Sequence, residues 1–145
     1  IDEGATLVTG GLCRPDGLER GYYIRPTIFA DTVPDMTIVT EEIFGLVLVI
    51  QGYKDLEDAI SLANDTPYGL AAYIQGSNPD ELLAVAKQIR AGQIFLNGNG
   101  LDLNDLYAPF GGFKASGNGR EWGEAGLEAF LEPKALIGYK KIINS

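Results

Sequence analysis

The sequence predicts an α/β protein built on an open, twisted, mostly parallel sheet with flanking helices. Short apolar runs that suit strands alternate with segments of helical periodicity at close spacing. The chain has 145 residues, which fits one domain, or one half of something larger, and is too short for two separate cores. Hydrophobic residues make up 46% and charged residues 21%, the usual values for a globular protein.

Three strands are predicted in the first 50 residues. Residues 5–8 and 22–29 suit short extended segments, and a stretch rich in Gly, Pro and Asp separates them. Pro26 is expected to place the second segment at a sheet edge, because proline cannot donate to the ladder. Residues 46–50 form an uninterrupted apolar run, typical of a central parallel strand that is covered on both faces.

The first helix is predicted to begin after residue 55. Apolar residues recur at i, i+3, i+4 and i+7 from Leu56 onward. Asp55 is placed to cap the start of this helix, and Asn64 followed by Pro67 ends it. Residues 68–75 then return to strand-like content.

A second helix carries clearer signals. Asn78 can cap it, Pro79 suits its first turn, and Gly92 ends it after an apolar stripe over residues 82–89. Residues 93–97 suit the next strand. This order of strand, helix, strand, helix and strand predicts a parallel sheet with right-handed crossovers.

The remainder of the chain is less regular. Residues 97–120 are polar and rich in glycine, and irregular stretches of this length inside compact proteins are usually functional. A short helix is predicted over residues 121–131, and residues 134–141 are predicted to form a terminal edge strand. We therefore divide the chain into residues 1–131 and a terminal strand segment, residues 132–145.

Composition excludes several classes of function. Eleven Lys and Arg against twenty Asp and Glu give a formal net charge of −9, which repels nucleic-acid phosphates and anionic membrane surfaces. With no histidine and one cysteine, Cys13, the chain cannot build a zinc site from N and S ligands, a Cys-His dyad or an internal disulfide. No apolar run approaches the ~18 residues of a membrane span, and the first residues lack a signal-peptide pattern. We expect a metal-free cytoplasmic protein without nucleic-acid or membrane partners.

Two adjacent carboxylates form the first candidate site. Glu41 and Glu42 precede the apolar run, and adjacent side chains of an extended segment point to opposite faces, so at most one serves a given site. Either both are solvated, or one accepts hydrogen bonds from a pair of ligand hydroxyls such as those of ribose. Phe44, two residues beyond Glu42 and therefore on the same face, could then lie against a planar ring.

Three other features are weaker candidates. A phosphate loop is disfavoured because Lys114 is followed by alanine instead of Ser or Thr, so the glycines more plausibly permit tight packing. Phe110, between proline and glycine, is either a core anchor or a pocket wall. Cys13 has no histidine to act as its base, so it is not predicted to be a nucleophile.

Three blocks together resemble the NAD(P)-dependent aldehyde dehydrogenase superfamily: TEEIFGLVLVI, ANDTPYGLAAYI and PFGGFKASGNGRE. Their order and spacing also fit, and the resemblance covers essentially the whole chain. It implies the aldehyde dehydrogenase catalytic-domain fold, of which this chain is the C-terminal part plus the terminal strand used in oligomerisation. The family's nucleophile, base glutamate and Rossmann domain correspond to sequence upstream of Ile1. The resemblance therefore implies that this chain is inactive alone.

The chemistry implied by the resemblance is oxidation of an aldehyde to a carboxylic acid. In this family a cysteine thiolate attacks the aldehyde to form a thiohemiacetal, hydride passes to the nicotinamide, and a glutamate-activated water hydrolyses the thioester. The expected cofactor is NAD, with NADP as the other possibility. The terminal strand implies a homo-oligomer, since an unpaired edge strand favours association.

Five residues receive roles from the resemblance. Glu42 matches the glutamate that binds the nicotinamide ribose hydroxyls, and Phe44 matches the phenylalanine that helps position the nicotinamide. Phe110 matches an aromatic residue of the substrate tunnel, and Tyr107 ends the variable loop at the tunnel mouth. Asn97 ends the strand before that loop and is expected to order the backbone beside the tunnel.

One departure from the family pattern supports an alternative function. The residue after EEIFG is usually proline in the family, whereas here it is Leu46. Losing the fixed φ of proline makes this loop less rigid. The alternative is a non-catalytic α/β assembly module that keeps the family fold, although the retained Glu42, Phe44 and Phe110 count against it.

Overall fold

A computed structural model describes residues 1–98 and 106–138. The chain divides into two compact units: Ile1–Thr66 with Lys87–Ile89, and Pro67–Ala86 with the residues from Arg90 onward. The expectation that the chain is too short for two cores was therefore wrong. Two cores fit because each is small: within the described residues, the buried hydrophobic side chains are Ala5 and Met36 in the first unit, and Leu82 and Phe95 in the second.

The first unit contains a three-stranded sheet in the order β1-β2-β3. β1 (Thr6–Thr9) pairs antiparallel with β2 (Thr27–Ala30), and β2 pairs parallel with β3 (Val47–Val49). All three predicted strands are present, but β2 occupies only the end of the predicted segment 22–29. The apolar run 46–50 pairs in parallel, as predicted, but the prediction that it is a central strand was wrong, because β3 lies at the end of this sheet among the described residues.

The middle strand of this sheet is β2, so the prediction that Pro26 marks an edge strand was wrong. Pro26 lies just before the strand, where its missing N–H is not needed by the ladder. Thr27 supplies the donor instead, from its N–H to the Leu46 carbonyl at 2.9 Å. β3 is not covered on both faces within the described part of the chain, since Leu48 is 56% exposed.

Two helices belong to the first unit. α1 (Thr37–Thr40) is a single turn that periodicity did not predict, and the Glu3 carboxylate holds its first residue by accepting from the Thr37 N–H at 2.6 Å and the Thr37 hydroxyl at 2.5 Å. α2 (Leu56–Asn64) has the predicted bounds. The predicted cap is also present, because the Asp55 carboxylate accepts from the Asp58 N–H at 2.9 Å.

The second unit contains a parallel pair of strands joined by a helix. β4 (Ala71–Ile74) and β5 (Gln93–Leu96) pair in continuous register, and α3 (Pro79–Ala86) lies between them in sequence. α3 begins as predicted but ends before Gly92. The reason is that the Gly92 N–H already donates to the Gly69 carbonyl at 3.0 Å, so the chain must leave the helix earlier to enter the β5 register.

The last elements are a short 3-10 helix (Lys114–Ser116) and α4 (Gly123–Glu128), which lies within the predicted helix 121–131. Of the predicted terminal strand 134–141, residues 134–138 are exposed and do not form a strand, and the rest lies outside the described residues. The division at residue 131 stays a prediction. None of the helices in the described ranges is both long and apolar enough to pass through a bilayer. The parallel pairs β2–β3 and β4–β5, with their intervening helices, confirm the α/β class. The single parallel sheet predicted for residues 46–97 was wrong in one respect, because β3 and β4 belong to separate sheets in the described residues.

Candidate functional site

Glu42 and Phe44 lie in the connection between α1 and β3. Glu41 closes α1, because its N–H donates to the Thr37 carbonyl at 3.0 Å. Phe44 then has a φ of 55°, in the left-handed region, so the connection bends. The assumption that this stretch is extended was therefore wrong, and the alternation argument that put Glu42 and Phe44 on one face does not apply to it.

Both side chains are available to a ligand in the first unit. Glu42 is exposed, and its carboxylate makes no hydrogen bond or ion pair with residues 1–98 or 106–138. Phe44 is 92% exposed. A free carboxylate accepts hydrogen bonds from paired hydroxyls, and an exposed ring can pack on a planar group. At Leu46, the end of the connection from α1 to β3, the backbone is held by a hydrogen bond although proline is absent. The Leu46 carbonyl accepts this hydrogen bond from the Thr27 N–H.

Asn97 lies in the second unit, directly after β5. Its φ is 53°, and its side-chain amide makes two hydrogen bonds with one backbone residue. Oδ1 accepts from the Gly76 N–H, and Nδ2 donates to the Gly76 carbonyl, both at 2.9 Å. This clamp joins the chain after β5 to the chain after β4, which is the geometry of a residue that orders backbone. Its place beside a substrate tunnel stays a prediction.

The segment 106–110 carries two further candidates and is held at both ends. Phe110 forms an isolated antiparallel bridge with Glu121, in which the two N–H groups donate to the opposite carbonyls at 2.8 and 2.7 Å. At the other end the Gly123 N–H donates to the Leu106 carbonyl at 3.1 Å. Tyr107 lies between these ties and is 88% exposed. We call residues 121–123 the corner.

A tryptophan in the corner packs on Phe110. The centroids of the Phe110 and Trp122 rings are 4.9 Å apart with an interplanar angle of 32°. Both residues are half-buried. Sequence reasoning singled out Phe110 and missed Trp122, because eleven residues separate them along the chain and no periodicity connects them.

The glycine-rich stretch packs by close backbone approach. The Arg120 guanidinium donates to the carbonyls of Gly112 at 3.0 Å and Gly119 at 2.6 Å, and it lies 5.2 Å above the centre of the Phe113 ring. A Cβ added at Gly112 would lie 2.5 Å from Ser116 atoms. This agrees with the interpretation that glycines permit tight packing here. Arg120 is the second residue of this region that sequence reasoning missed.

The remaining sequence candidate, Cys13, is a free and exposed cysteine. In the part of the chain that the structure describes, no group of three or more His, Cys, Asp or Glu side chains is arranged to hold a metal ion. The candidate residues of the site are therefore Glu42 and Phe44 in the first unit, and Asn97, Tyr107 and Phe110 in the second.

Comparison with known proteins shows the family. Residues 1–136 match the Aldehyde dehydrogenase family, and the chain belongs to this family. It is 53% identical over 140 residues to 3-succinoylsemialdehyde-pyridine dehydrogenase from a Pseudomonas species. That match covers 97% of this chain and 29% of the relative.

Solved structures give the same result. Aldehyde dehydrogenase C from Pseudomonas syringae, a mutant in complex with NAD+ and octanal, is similar with a TM-score of 0.85 and 48% identity over 90% of this chain. An aldehyde dehydrogenase from Mycobacterium tuberculosis in complex with NAD+ has a TM-score of 0.86 and 45% identity over 96% of this chain. The chain spans 26% and 29% of the lengths of these two proteins.

Proposed function

We propose that this chain is the C-terminal part of the catalytic domain of an NAD-dependent aldehyde dehydrogenase. The observation that supports this best is its similarity, at a TM-score of 0.85, to an aldehyde dehydrogenase in complex with NAD+ and octanal. The overall reaction converts an aldehyde, water and NAD+ into a carboxylate, NADH and two protons. NADP is the alternative cofactor. The thiolate nucleophile and the base glutamate would belong to the longer protein.

The chemistry of Glu42 and Phe44 fits a nicotinamide nucleoside. The Glu42 carboxylate, which has no hydrogen-bond partner in the described residues, would accept hydrogen bonds from the ribose hydroxyls. The exposed Phe44 ring would pack against the nicotinamide and restrict its position. NAD held by these two residues would supply the hydride acceptor for oxidation of the aldehyde carbon. The contribution of this chain is to bind and orient, and orientation of the reacting groups accounts for a large part of enzymatic rate enhancement.

The second unit would supply part of the substrate tunnel. We assign Phe110 and Tyr107 to its wall, since both lie on the segment 106–110 that the corner holds in place. Asn97 would order the backbone beside it through its clamp on Gly76. Aliphatic and aromatic aldehydes are the substrate class that an apolar wall of this kind accepts.

Two further features belong to the same proposal. Residues 134–141 would form the strand that joins subunits of a homo-oligomer, supported by the exposure of Leu136 at 89% and Ile137 at 96%. The enzyme would work in the cytoplasm, where a reducing environment preserves a free and exposed thiol such as that of Cys13.

The assembly-module alternative depended on Leu46 standing in place of proline. In the structure the Leu46 carbonyl is bound by the Thr27 N–H at 2.9 Å, so the end of this loop is anchored by a hydrogen bond. We therefore prefer the enzyme segment, whose cofactor-facing groups Glu42 and Phe44 are exposed and uncommitted in the described part of the chain.

The test is Glu42→Gln in the full-length enzyme. This change keeps the side-chain size but removes the charge, and hydrogen bonds to charged groups contribute roughly 1.5–3 kcal/mol. We expect the single-turnover rate of NADH formation to fall about tenfold or more. Glu41→Gln is the matched control, because Glu41 is an adjacent exposed carboxylate, and it should stay within about twofold. Equal rates for the two variants would remove Glu42 from the cofactor site.

The 145-residue chain alone tests the location of the reactive centre. It is expected to produce no NADH from a panel of aliphatic and aromatic aldehydes, with or without Cys13→Ala. Turnover by the chain that disappears in Cys13→Ala would contradict the proposal, because it would put the nucleophile within this segment.

A further inference from the structure

We propose that Trp122 is a positioning residue that orients the Phe110 ring and thereby sets the size of aldehyde that the enzyme accepts. This inference rests on the proposed function, in which Phe110 lines the substrate tunnel. Trp122 itself is not assigned to the tunnel. It would act on the substrate only through the Phe110 ring.

The backbone of Phe110 is held in place. Its backbone is tied to Glu121 by two hydrogen bonds at 2.8 and 2.7 Å, so the main freedom left to the residue is rotation of its side chain. The Trp122 ring, with its centroid 4.9 Å away, occupies one side of the Phe110 ring and limits that rotation. A substrate can meet Phe110 only on the parts of the ring that Trp122 leaves open.

The backbone of Trp122 has an unfavourable conformation. Its φ of 62° and ψ of 161° lie in a region populated almost exclusively by glycine. The next residue is Gly123, with a φ of 59°, where an added Cβ would lie 2.2 Å from the Tyr107 carbonyl oxygen. A large aromatic residue at a position that favours glycine is strained, and such strain is typical of functional sites. The contact that offsets it here is the packing on Phe110.

Backbone groups and the Trp122 side chain have separate roles in the corner. The backbone groups of Glu121 and Gly123 hold the segment 106–110, through Phe110 and Leu106 respectively. Trp122 contributes the side chain between those two ties. Removing the Trp122 side chain keeps the backbone hydrogen bonds of Glu121 and Gly123 and allows only the Phe110 ring to move. Substrate selection should therefore change more than the rate of the chemical step.

The experiment measures kcat and KM of the full-length enzyme for propanal, octanal and a bulky aromatic aldehyde. Trp122→Gly relieves the strained φ and removes the ring, so Phe110 can recede from the substrate. We expect kcat/KM for the bulky aldehyde relative to propanal to rise about fivefold to tenfold, mainly through KM, with kcat for propanal within about twofold. Trp122→Phe keeps an aromatic contact and should restore the ratio to within about twofold of the wild type.

Two further variants test whether Trp122 acts through the Phe110 ring. Trp122→Leu should give an intermediate ratio, and it replaces Trp122→Gly if that variant does not fold. In a Phe110→Leu background Trp122→Gly should change the ratio less than twofold, because the ring through which it acts is gone. Two results would overturn the inference if the wild-type enzyme oxidises aldehydes. One is a ratio of kcat/KM values that is unchanged in both Trp122→Gly and Trp122→Leu. The other is a change in that ratio that is as large in the Phe110→Leu background as in the wild-type background. A wild-type enzyme that oxidises no aldehyde would overturn the proposed function, and this inference with it.

Discussion

The side-chain amide of Asn97 pairs with the backbone of Gly76 as another peptide group would. Its amide bonds both the N–H and the carbonyl of Gly76 at 2.9 Å, and its φ of 53° is one that asparagine tolerates better than most residues. Asn97→Ala loses both hydrogen bonds and keeps the Cβ at positive φ, for an expected cost of about 2 kcal/mol. Asn97→Gly loses the bonds but relieves the backbone, for about 1 kcal/mol.

Urea unfolding of the 145-residue chain, followed by far-UV circular dichroism, checks this order of stabilities. The expected order is wild type, then Asn97→Gly, then Asn97→Ala. Two variants of equal stability would mean that positive φ costs nothing at this position. No loss in either would mean that the clamp does not stabilise the chain after β5.

The sequence predicted individual residues well where the signal was local. The roles of Glu42 and Phe44 stay predictions, but their exposure agrees with them. The bend at Phe44 could not be predicted, because nothing in the residue itself favours a φ of 55°. Trp122 was missed for a similar reason, since its importance comes from a contact with Phe110 across an irregular stretch.

Among the elements, α1 has an unusual start that makes it sensitive to pH. Hydrogen bonds from the Thr37 hydroxyl and then the Thr37 N–H lower the pKa of Glu3 below its ordinary value. A lowered pKa in the folded state means that the contact stabilises the fold above the unfolded pKa and is lost as the pH falls through the folded pKa. The start of α1 should therefore loosen in acid.

The measurement is the Thr37 amide chemical shift by NMR as the pH is lowered. The shift should titrate with a midpoint below the ordinary glutamate pKa of about 4.3. Glu3→Gln removes the titrating group, so its Thr37 amide should show no such transition. A midpoint at or above the ordinary value in the wild type would mean that the hydrogen bonds do not favour the ionised carboxylate.

The three helices α1, α2 and α3 show which parts of the fold can be predicted from the sequence. α2 was predicted with its bounds because Asp55 caps it locally and Asn64 ends it. α1 was not predicted, because the carboxylate that holds it is 34 residues away. The end of α3 was placed too late because pairing of Gly92 with Gly69 decides it. Local caps are visible in sequence, whereas hydrogen bonds across the fold are not.

Residues 1–98 and 106–138 bury few of their large apolar side chains. Exposure reaches 107% at Leu12, 106% at Tyr22 and 88% at Phe130, and the buried hydrophobic residues in the described ranges are four. Exposed apolar surface on this scale marks interaction surfaces. The chain spans 29% of the length of a relative that it matches. In the proposed enzyme these faces would contact the remainder of the longer protein.

The exposed terminal segment predicts a contact between subunits. In the described residues 134–138, Leu136 and Ile137 are 89% and 96% exposed and adjacent, so in a strand one of them would point to each face. If this segment adds to the sheet of a neighbouring subunit, as proposed, deleting everything after Pro133 from the full-length enzyme removes a strand from that interface. We expect light scattering to show a smaller oligomer, and NADH formation per folded protomer to remain within about threefold, since no proposed site residue is lost. An unchanged oligomer would contradict the proposed role of the strand, and complete loss of function by a folded protein would favour the assembly module over the enzyme.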